Sequence, residues 1–347
     1  MSSYWTYRAF VLLGIAAALA GCIEPVRGQD VHFAQFHNTP LVVDPALAGS
    51  GEGDQRVALA HRQQWTSIGV PFRTQYFSYD LPVLRDRLGG RYIGVGLSAF
   101  TDKAGTTGFG DTQGALSVAY ALRMGERSTV ALGMQAAYGQ RSAVLEGMRW
   151  DSQYNGAGYD PSLPTNELIT NQRRSFMDLA AGLMARGELR NGVSWLAGAS
   201  SFHLTQPSVD LLSGGGDRLL RRYMAHCEVR IPGQRWTWSP RAMVAQQGGT
   251  REILYGAMMH RRIGQDSRFT TDKNSSALHL GCFHRWGDAV IPTLQFEWKR
   301  KLVAGLSYDV NIGKLRTQTG FRGGAELSLQ WIGMFKDTRV RLPNSKG

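Results

Sequence analysis

The feature that most constrains this chain is an alternation of apolar and polar residues that begins near Gln55 and continues almost to the C-terminal end. Successive side chains of a β-strand point to opposite faces, so a period of two predicts strands with one dry face and one wet face. In the segment 128–140 the apolar face would carry Val130, Leu132, Met134, Ala136 and Tyr138. Alternation over most of a chain favours an all-β fold.

Fourteen segments show this pattern, and most span about 9–13 residues, which suits a tilted membrane strand. They lie at 56–65, 72–80, 91–99, 112–123, 128–140, 174–186, 192–203, 220–231, 235–246, 251–261, 276–285, 288–299, 302–311 and 325–331. The mean hydropathy of −0.25 is too low for a bundle of membrane-spanning helices, whereas a barrel strand averages lipid-facing apolar and lumen-facing polar residues. We therefore expect a closed antiparallel transmembrane β-barrel of about fourteen strands, with an irregular N-terminal segment.

Connections and aromatic residues fit the same expectation. The turns at 124–126 and 186–192 look tight, while 143–173 is the longest loop and suits an exposed partner-binding segment. Aromatic residues crowd the predicted strand ends, where Tyr and Trp favour the membrane interface. They are Trp65, Tyr76, Tyr79, Trp150, Trp195, Trp236, Trp238, Trp286, Trp298 and Trp331. The alternative is the aromatic core of a soluble β-sandwich.

The N-terminal residues predict an export signal. Arg8 precedes an apolar run at 9–20, which is too short to span a bilayer as an anchor. Cleavage after residue 28 would leave Gln29 first, whereas the lipobox-like sequence before Cys22 would make that cysteine a lipidated N-terminus. We expect a signal at 1–28, or at 1–21 if Cys22 is lipidated. A periplasmic or luminal segment at 29–54, a barrel at 55–333 and a tail at 334–347 would follow.

The net charge and the cysteines exclude few functions. The net charge of +12 comes from Arg and Lys residues that are spread along the chain, so we expect no nucleic-acid partner. Arginines lining a barrel interior or contacting acidic lipid are the favoured use. Cys227 and Cys282 lie on apolar faces of predicted strands, which favours small buried hydrophobic side chains over a disulfide.

Catalytic motifs are lacking in the sequence, which has no G-x-S-x-G elbow, H-E-x-x-H motif or P-loop. The pairs His32/His37 and His279/His284 are each five residues apart, a spacing that fixes neither pair on one face. We expect no enzyme activity, no cofactor and no metal site.

A series of short motifs runs through the chain in a fixed order. They are QDVHFAQF at 29–36, DPALAGS at 44–50, RQQW at 62–65, DKAG at 102–105, YGQRS at 138–142, FHLTQP at 202–207, GLSYDVN at 305–311 and RGGAELSL at 322–329. Together they resemble the PorP/SprF outer-membrane proteins associated with the type IX secretion system of Bacteroidota. Val31 and Ala34 depart from that family's opening motif.

The resemblance implies an outer-membrane barrel that works with type IX secretion and, in gliding relatives, with export or anchoring of large adhesins. The implied partners are exported surface proteins or adhesins, other secretion components including periplasmic ring lipoproteins, and outer-membrane lipid. No catalytic residues transfer from the family. Its N-terminal motifs supply the candidate partner-binding residues, which are His32, Phe33, Gln35, Phe36, Pro40, Pro45 and Gly49.

Three hypotheses follow. The first is a secretion-associated barrel that binds or anchors exported proteins, with the segment 29–54 at the periplasmic mouth or inside the lumen, where Phe33, Phe36 and Leu41 would pack. The second is a solute channel whose arginine-lined lumen selects anions. The third is an outer-membrane lipid hydrolase.

Overall fold

The computed structural model describes residues 30–65, 69–84, 91–105, 108–144, 149–165, 173–211, 216–264, 275–314 and 316–334. These residues form β1 Gln55–Gln64, β2 Phe72–Val83, β3 Tyr92–Lys103, β4 Gly110–Arg123, β5 Ser128–Ser142, β6 Arg173–Glu188, β7 Ser194–Phe202, β8 Arg222–Pro232, β9 Thr237–Gln247, β10 Thr250–Ile263, β11 Ser276–Arg285, β12 Ala289–Trp298, β13 Leu302–Asn311 and β14 Arg322–Gly333. The short helices are Phe36–Asn38, Pro40–Val43, Pro45–Leu47, Asp151–Gln153 and Arg316–Thr319. The expected signal, Cys22 and all but the first residue of the expected tail lie outside the described residues.

The strands form one closed antiparallel barrel. Each strand pairs with its neighbours in the chain, and β1 closes the ring against β14, from Gln55 opposite Gly333 to Gln64 opposite Gly324. Every predicted segment overlaps one observed strand. The prediction of a closed antiparallel barrel with about fourteen strands is therefore confirmed.

The predicted apolar faces form the outer surface of the barrel. On β5, Leu132 and Met134 are 62% and 67% exposed, whereas Gln135 between the outward positions is buried. A broad exposed apolar surface is the signature of a lipid-facing wall. No helix among the described residues is long and apolar enough to cross a membrane.

Two predictions about side-chain placement were wrong. Tyr76 is not at the membrane interface but points inward and is buried, because it shares the inner face of β2 with Ser78 and Asp80. Cys227 and Cys282 are free and exposed rather than buried. They lie on the outer faces of β8 and β11, with two strands between them, which places them beyond the reach of a disulfide.

The two rims of the barrel differ, and we name them by their connections. At the "terminal end" β1 begins and β14 ends, and the turns 124–127, 189–193, 233–236 and 299–301 are short. At the "loop end" lie the two longest connections, 143–172 and 203–221. In outer-membrane barrels the short turns face the periplasm and the long loops face outward.

Candidate functional site

The N-terminal residues 30–54 occupy the lumen of the barrel, and we call them the plug. At the loop end the Asp30 amide donates to Gln247 Oε1 on β9 over 2.8 Å. At the terminal end the Asp54 amide donates to the Gly333 carbonyl over 2.9 Å. The plug therefore runs the length of the lumen, starting at the loop end and leading into β1.

Short helical turns give the plug its compact path. Pro40 begins the α-helical turn Pro40–Val43, and Pro45 begins the 3₁₀ turn Pro45–Leu47. A proline suits a first helical position because the backbone N–H that it lacks would have no partner in the helix. The Asp44 carboxylate caps the second turn by accepting the Ala46 amide over 2.8 Å.

A buried charge network fastens the middle of the plug to the wall. Glu326 on β14 accepts the backbone amides of Ala34 and Gln35 over 2.7 and 2.8 Å. Arg62 on β1 binds Glu326 over 3.0 Å and Asp309 on β13 over 2.6 Å. These charges are fully buried, and such groups are retained only when paired and hydrogen-bonded. The plug therefore supplies part of the solvation that the wall charges need.

Gln35 is a second fixing point, with no exposed surface. Its Oε1 accepts the Ser328 hydroxyl over 2.8 Å and the Gln295 amide over 3.0 Å. Its Nε2 donates to Ser307 Oγ over 3.2 Å. One plug side chain thus joins β12, β13 and β14.

Wall side chains also satisfy consecutive carbonyl groups of the plug. The carbonyls of residues 41, 42 and 43 accept hydrogen bonds from Gln135 on β5 over 3.1 Å, Arg222 on β8 over 2.7 Å and Ser200 on β7 over 2.6 Å. These strands lie across the lumen from β14. The plug is therefore hydrogen-bonded to strands on opposite sides of the barrel interior.

Inward-facing glycines make room for the plug. A Cβ atom at Gly94 would lie 1.9 Å from the Ala48 carbonyl oxygen, and one at Gly182 would lie 1.9 Å from Asp44 Oδ1. Any other residue at these positions would collide with the plug. The alternation of glycine with apolar residues in the sequence thus reflects the close approach of the plug to the wall at these positions.

Apolar side chains of the plug pack against the inner wall. Phe33 contacts Tyr76 with ring centroids 5.7 Å apart, and Phe36 meets Phe283 edge-on at 6.4 Å. Leu41 is fully buried. The predicted packing of Phe33, Phe36 and Leu41 is what the structure has, at a luminal position.

A cluster of charged groups binds the plug at the loop end. Asp30 contacts Arg222 over 2.9 Å and His203 over 3.0 Å, and the other ring nitrogen of His203 contacts Asp178 over 2.8 Å. Burial alone would lower the pKa of His203, but the hydrogen bonds and charges of its two carboxylate partners outweigh it and raise the pKa to about 9. His203 is therefore a cation at neutral pH. The Arg222 guanidinium and His203 hold the pKa of Asp30 far below its usual range despite burial.

At the terminal end the last turn of the plug is tied to β2. The Gly49 amide donates to Asp80 Oδ2 over 2.8 Å, and Arg56 binds the same carboxylate over 2.9 Å and the Leu47 carbonyl over 3.1 Å. Gly49 has a φ of +67°, a conformation that favours glycine. Beyond it, Glu52 pairs with Arg230.

A cavity of about 580 Å³ lies between the plug and the terminal end, and we call it the vestibule. Phe36, Pro40 and Leu47 of the plug form its floor. Its charged lining consists of Arg56, Arg127, Arg186, Arg230, Arg241, Arg300, Glu52, Glu188, Glu228 and Glu297. By contrast, two cavities beside the loop-end half of the plug measure about 30 and 10 Å³, which is room for water molecules only.

Most of the seven candidate partner-binding residues face the barrel rather than the solvent. Phe33, Gln35, Phe36, Pro40, Pro45 and Gly49 are buried, and His32 and His37 are half-buried. Burial lowers the pKa of His32 to about 4, so its ring is neutral. Direct contact of these seven residues with a partner stays a prediction, because their observed contacts are with the wall.

Within the part of the chain that the structure describes, no group of three or more His, Cys, Asp or Glu side chains is arranged to hold a metal ion. His279 points inward and binds Glu297 over 3.1 Å, while His284 points outward to the Tyr255 hydroxyl over 2.9 Å. Opposite faces keep these two rings apart.

Comparison with known proteins finds one matching family and several solved β-barrel structures to which the chain is similar. A family model described as type IX secretion system membrane protein PorP/SprF matches residues 26–331. Among solved structures, a deletion mutant of the TodX monoaromatic hydrocarbon channel shares 12% identity over 86% of this chain and 94% of that chain, with a TM-score of 0.46. The KdgM porin shares 6% identity over 80% and 99%, with a TM-score of 0.38. BamA from Haemophilus ducreyi lacking POTRA domains 1–3 shares 10% over 80% and 70%, with a TM-score of 0.38. No curated protein matches the chain.

Proposed function

Because this chain belongs to the PorP/SprF family of type IX secretion system membrane proteins, we propose that its barrel binds or anchors exported surface proteins and conducts no solutes. The barrel would sit in the outer membrane, with the terminal end in the periplasm and the loop end outside, and would serve secretion and gliding. The proposal includes no catalytic step, since the sequence offers no catalytic motif.

The observation that carries the proposal is the plug. It is hydrogen-bonded to strands on both sides of the lumen, and its central contacts involve the buried carboxylate of Glu326. Removing one partner of a buried charge network costs about 3–5 kcal/mol. A solute would have to displace the whole segment to pass. The plug thus argues against the channel hypothesis.

A closed barrel leaves its two rims for binding. At the loop end, the connection 143–172 carries exposed Tyr154 and Tyr159, which form an antiparallel bridge, and Arg149 lies 5.0 Å from the Tyr159 ring. Aromatic and arginine side chains are the types that dominate protein interfaces. This rim suits an exported surface protein, and the terminal end suits a periplasmic component of the secretion system.

Conductance of the purified protein in planar bilayers tests the closed state. The full chain should conduct poorly, and a deletion of residues 31–53 should open a pore through the arginine-lined lumen. Steady ion conductance by the full chain would contradict the proposal.

A substitution test addresses secretion directly. Phe33→Ala combined with Phe36→Ala removes two buried rings, each of which contributes about 3–5 kcal/mol to packing, and should weaken both the plug and the capture of exported proteins. Phe77→Ala combined with Phe296→Ala is the matched control, because these rings face outward. Unchanged secretion and unchanged partner pull-down in the plug variant would show that the plug has no part in binding.

A further inference from the structure

The vestibule carries positive charge that the described residues do not neutralise. Arg127 and Arg186 line the same wall, since Arg186 pairs with Thr129 across the β5–β6 ladder. Among the described residues, neither guanidinium has a carboxylate within salt-bridge distance, and Arg186 donates only to the Ser50 carbonyl, over 2.5 Å. By contrast, Arg230 on β8, two strands along the wall from β6, pairs with Glu52 and Glu228. The positive charge without a carboxylate partner is therefore concentrated at Arg127 and Arg186.

Two residues that line the vestibule each have a buried donor atom without an acceptor. The Gln295 amide donates to His37 Nε2 over 2.9 Å, so a neutral His37 ring carries its proton on Nδ1. Burial, reinforced by the charge of Arg241, lowers the pKa of His37 well below its usual value and keeps the ring neutral. Within the described residues, His37 Nδ1 and Arg241 Nε have no hydrogen-bond partner, although the Arg241 side chain is only 10% exposed. Both atoms are closed off from the cavity itself, so they mark buried polarity in its wall and are not contacts open to a ligand.

Apolar side chains of the plug form part of the vestibule floor, beside the polar residues His37, Asn38 and Ser50. They are Phe36, Pro40, Val43 and Leu47, and Leu196 of β7 continues them along the wall. A volume of about 580 Å³ falls within the range of ligand sites, and charged and apolar groups lie side by side in the lining. A small inorganic anion would leave this floor unused.

We propose that the vestibule binds an acidic segment of a polypeptide, with its carboxylates on Arg127 and Arg186 and its apolar side chains on the plug. A lipid is the weaker fit, because the vestibule lies inside the barrel wall and acyl chains lie outside it. The inference rests on the proposed binding role and names the chemistry of one partner.

Fluorescence anisotropy on the full-length protein in nanodiscs tests the inference with two labelled octapeptides, one of alternating Glu and Leu and one with Gln in place of Glu. We expect saturable binding of the acidic peptide and binding of the Gln peptide weaker by on the order of 10-fold or more. Arg127→Gln with Arg186→Gln should weaken acidic-peptide binding by a similar factor. Arg190→Gln is the matched control, since this exposed arginine lies in the neighbouring turn 189–193 and does not line the vestibule. Arg127→Lys with Arg186→Lys should retain part of the affinity.

Several outcomes would overturn the inference. Two of them are equal binding of the two peptides and wild-type affinity in the double Gln variant. The others are full displacement of the peptide by millimolar inorganic phosphate, and peptide binding that is lost when the nanodiscs contain anionic lipid but is retained when they do not. Heat-dependent migration of the barrel in SDS gels establishes that each variant is folded. If peptide binding fails while pull-down of exported proteins persists, the inference falls and the proposed function stands. If the unmodified protein captures no exported protein in the pull-down while it still binds the acidic peptide, the proposed function falls and peptide binding by the vestibule stands.

Discussion

Replacing Glu326 by alanine should loosen the plug without removing any part of it. The carboxylate accepts two plug amides and pairs with Arg62, all at full burial. Losing one partner of a buried charge network costs about 3–5 kcal/mol, and about 1.4 kcal/mol corresponds to a factor of ten. The population of barrels with a displaced plug should therefore rise by on the order of 10²–10³-fold.

Amide hydrogen exchange of the detergent-solubilised protein measures this population. The informative amides are those of Asn38 and Asp44, which bond to Gln35 and Pro40 within the plug and do not touch Glu326. Their exchange should accelerate by the factor given above if the plug leaves as a unit. Glu126→Ala provides the control, because this exposed glutamate lies in the turn 124–127 away from the plug.

Wild-type exchange at Asn38 and Asp44 in a folded Glu326→Ala barrel would refute the reasoning. The plug would then be held by its other contacts, and the charge network would serve the wall alone. Faster exchange at residues 34 and 35 only would mean local fraying, not release.

Two further predictions concern single positions. Gly94→Val should lower the free energy of unfolding of the barrel by about 1–3 kcal/mol through overpacking against the plug. Gly114→Val should not, because position 114 has open space around it, and a gel-shift melting series compares the two variants. The folded pKa of His203, about 9, exceeds its ordinary value of 6.5, so its contribution to plug retention should be complete below about pH 6.5 and lost as the pH rises through 9. Exchange of the plug measured from pH 6 to pH 10 should show this loss, and His203→Gln should flatten it; an identical profile in that variant would assign the titration elsewhere.

The barrel could be predicted from the sequence because strand alternation is a local property. Each apolar face, such as that of β5, is legible from neighbouring residues without knowing which strand comes next. Tyr76 was misplaced although the same signal was present, since it alternates in phase with Ser78 and Asp80 and not with Phe77. The cysteines were placed on the correct face but misjudged as buried, because the apolar face of a membrane barrel is its outer one.

The plug network was beyond the sequence for a different reason. Gln35 and Glu326 are 291 residues apart, and no periodicity links them. A signal was nevertheless present, since Glu326 is the single charge among small polar residues on the inward face of β14, and Arg62 follows two alanines on the inward face of β1. A lone charge on the wet face of a strand needs a partner, and the irregular segment before β1 was the part of the chain left to supply one.

The direction of the plug has a consequence for assembly. Ala34 and Gln35 are bound by β14, the strand that also completes the ring against β1. Moving the folded plug lengthwise through a closed barrel would require all of its contacts with the wall to be broken together. Wrapping the strands around a segment that is already in place would not. The N-terminal plug would then serve as the template against which the C-terminal strand β14 is placed. A defect in the plug would therefore appear as a failure of β14 to pair with β1 and close the barrel.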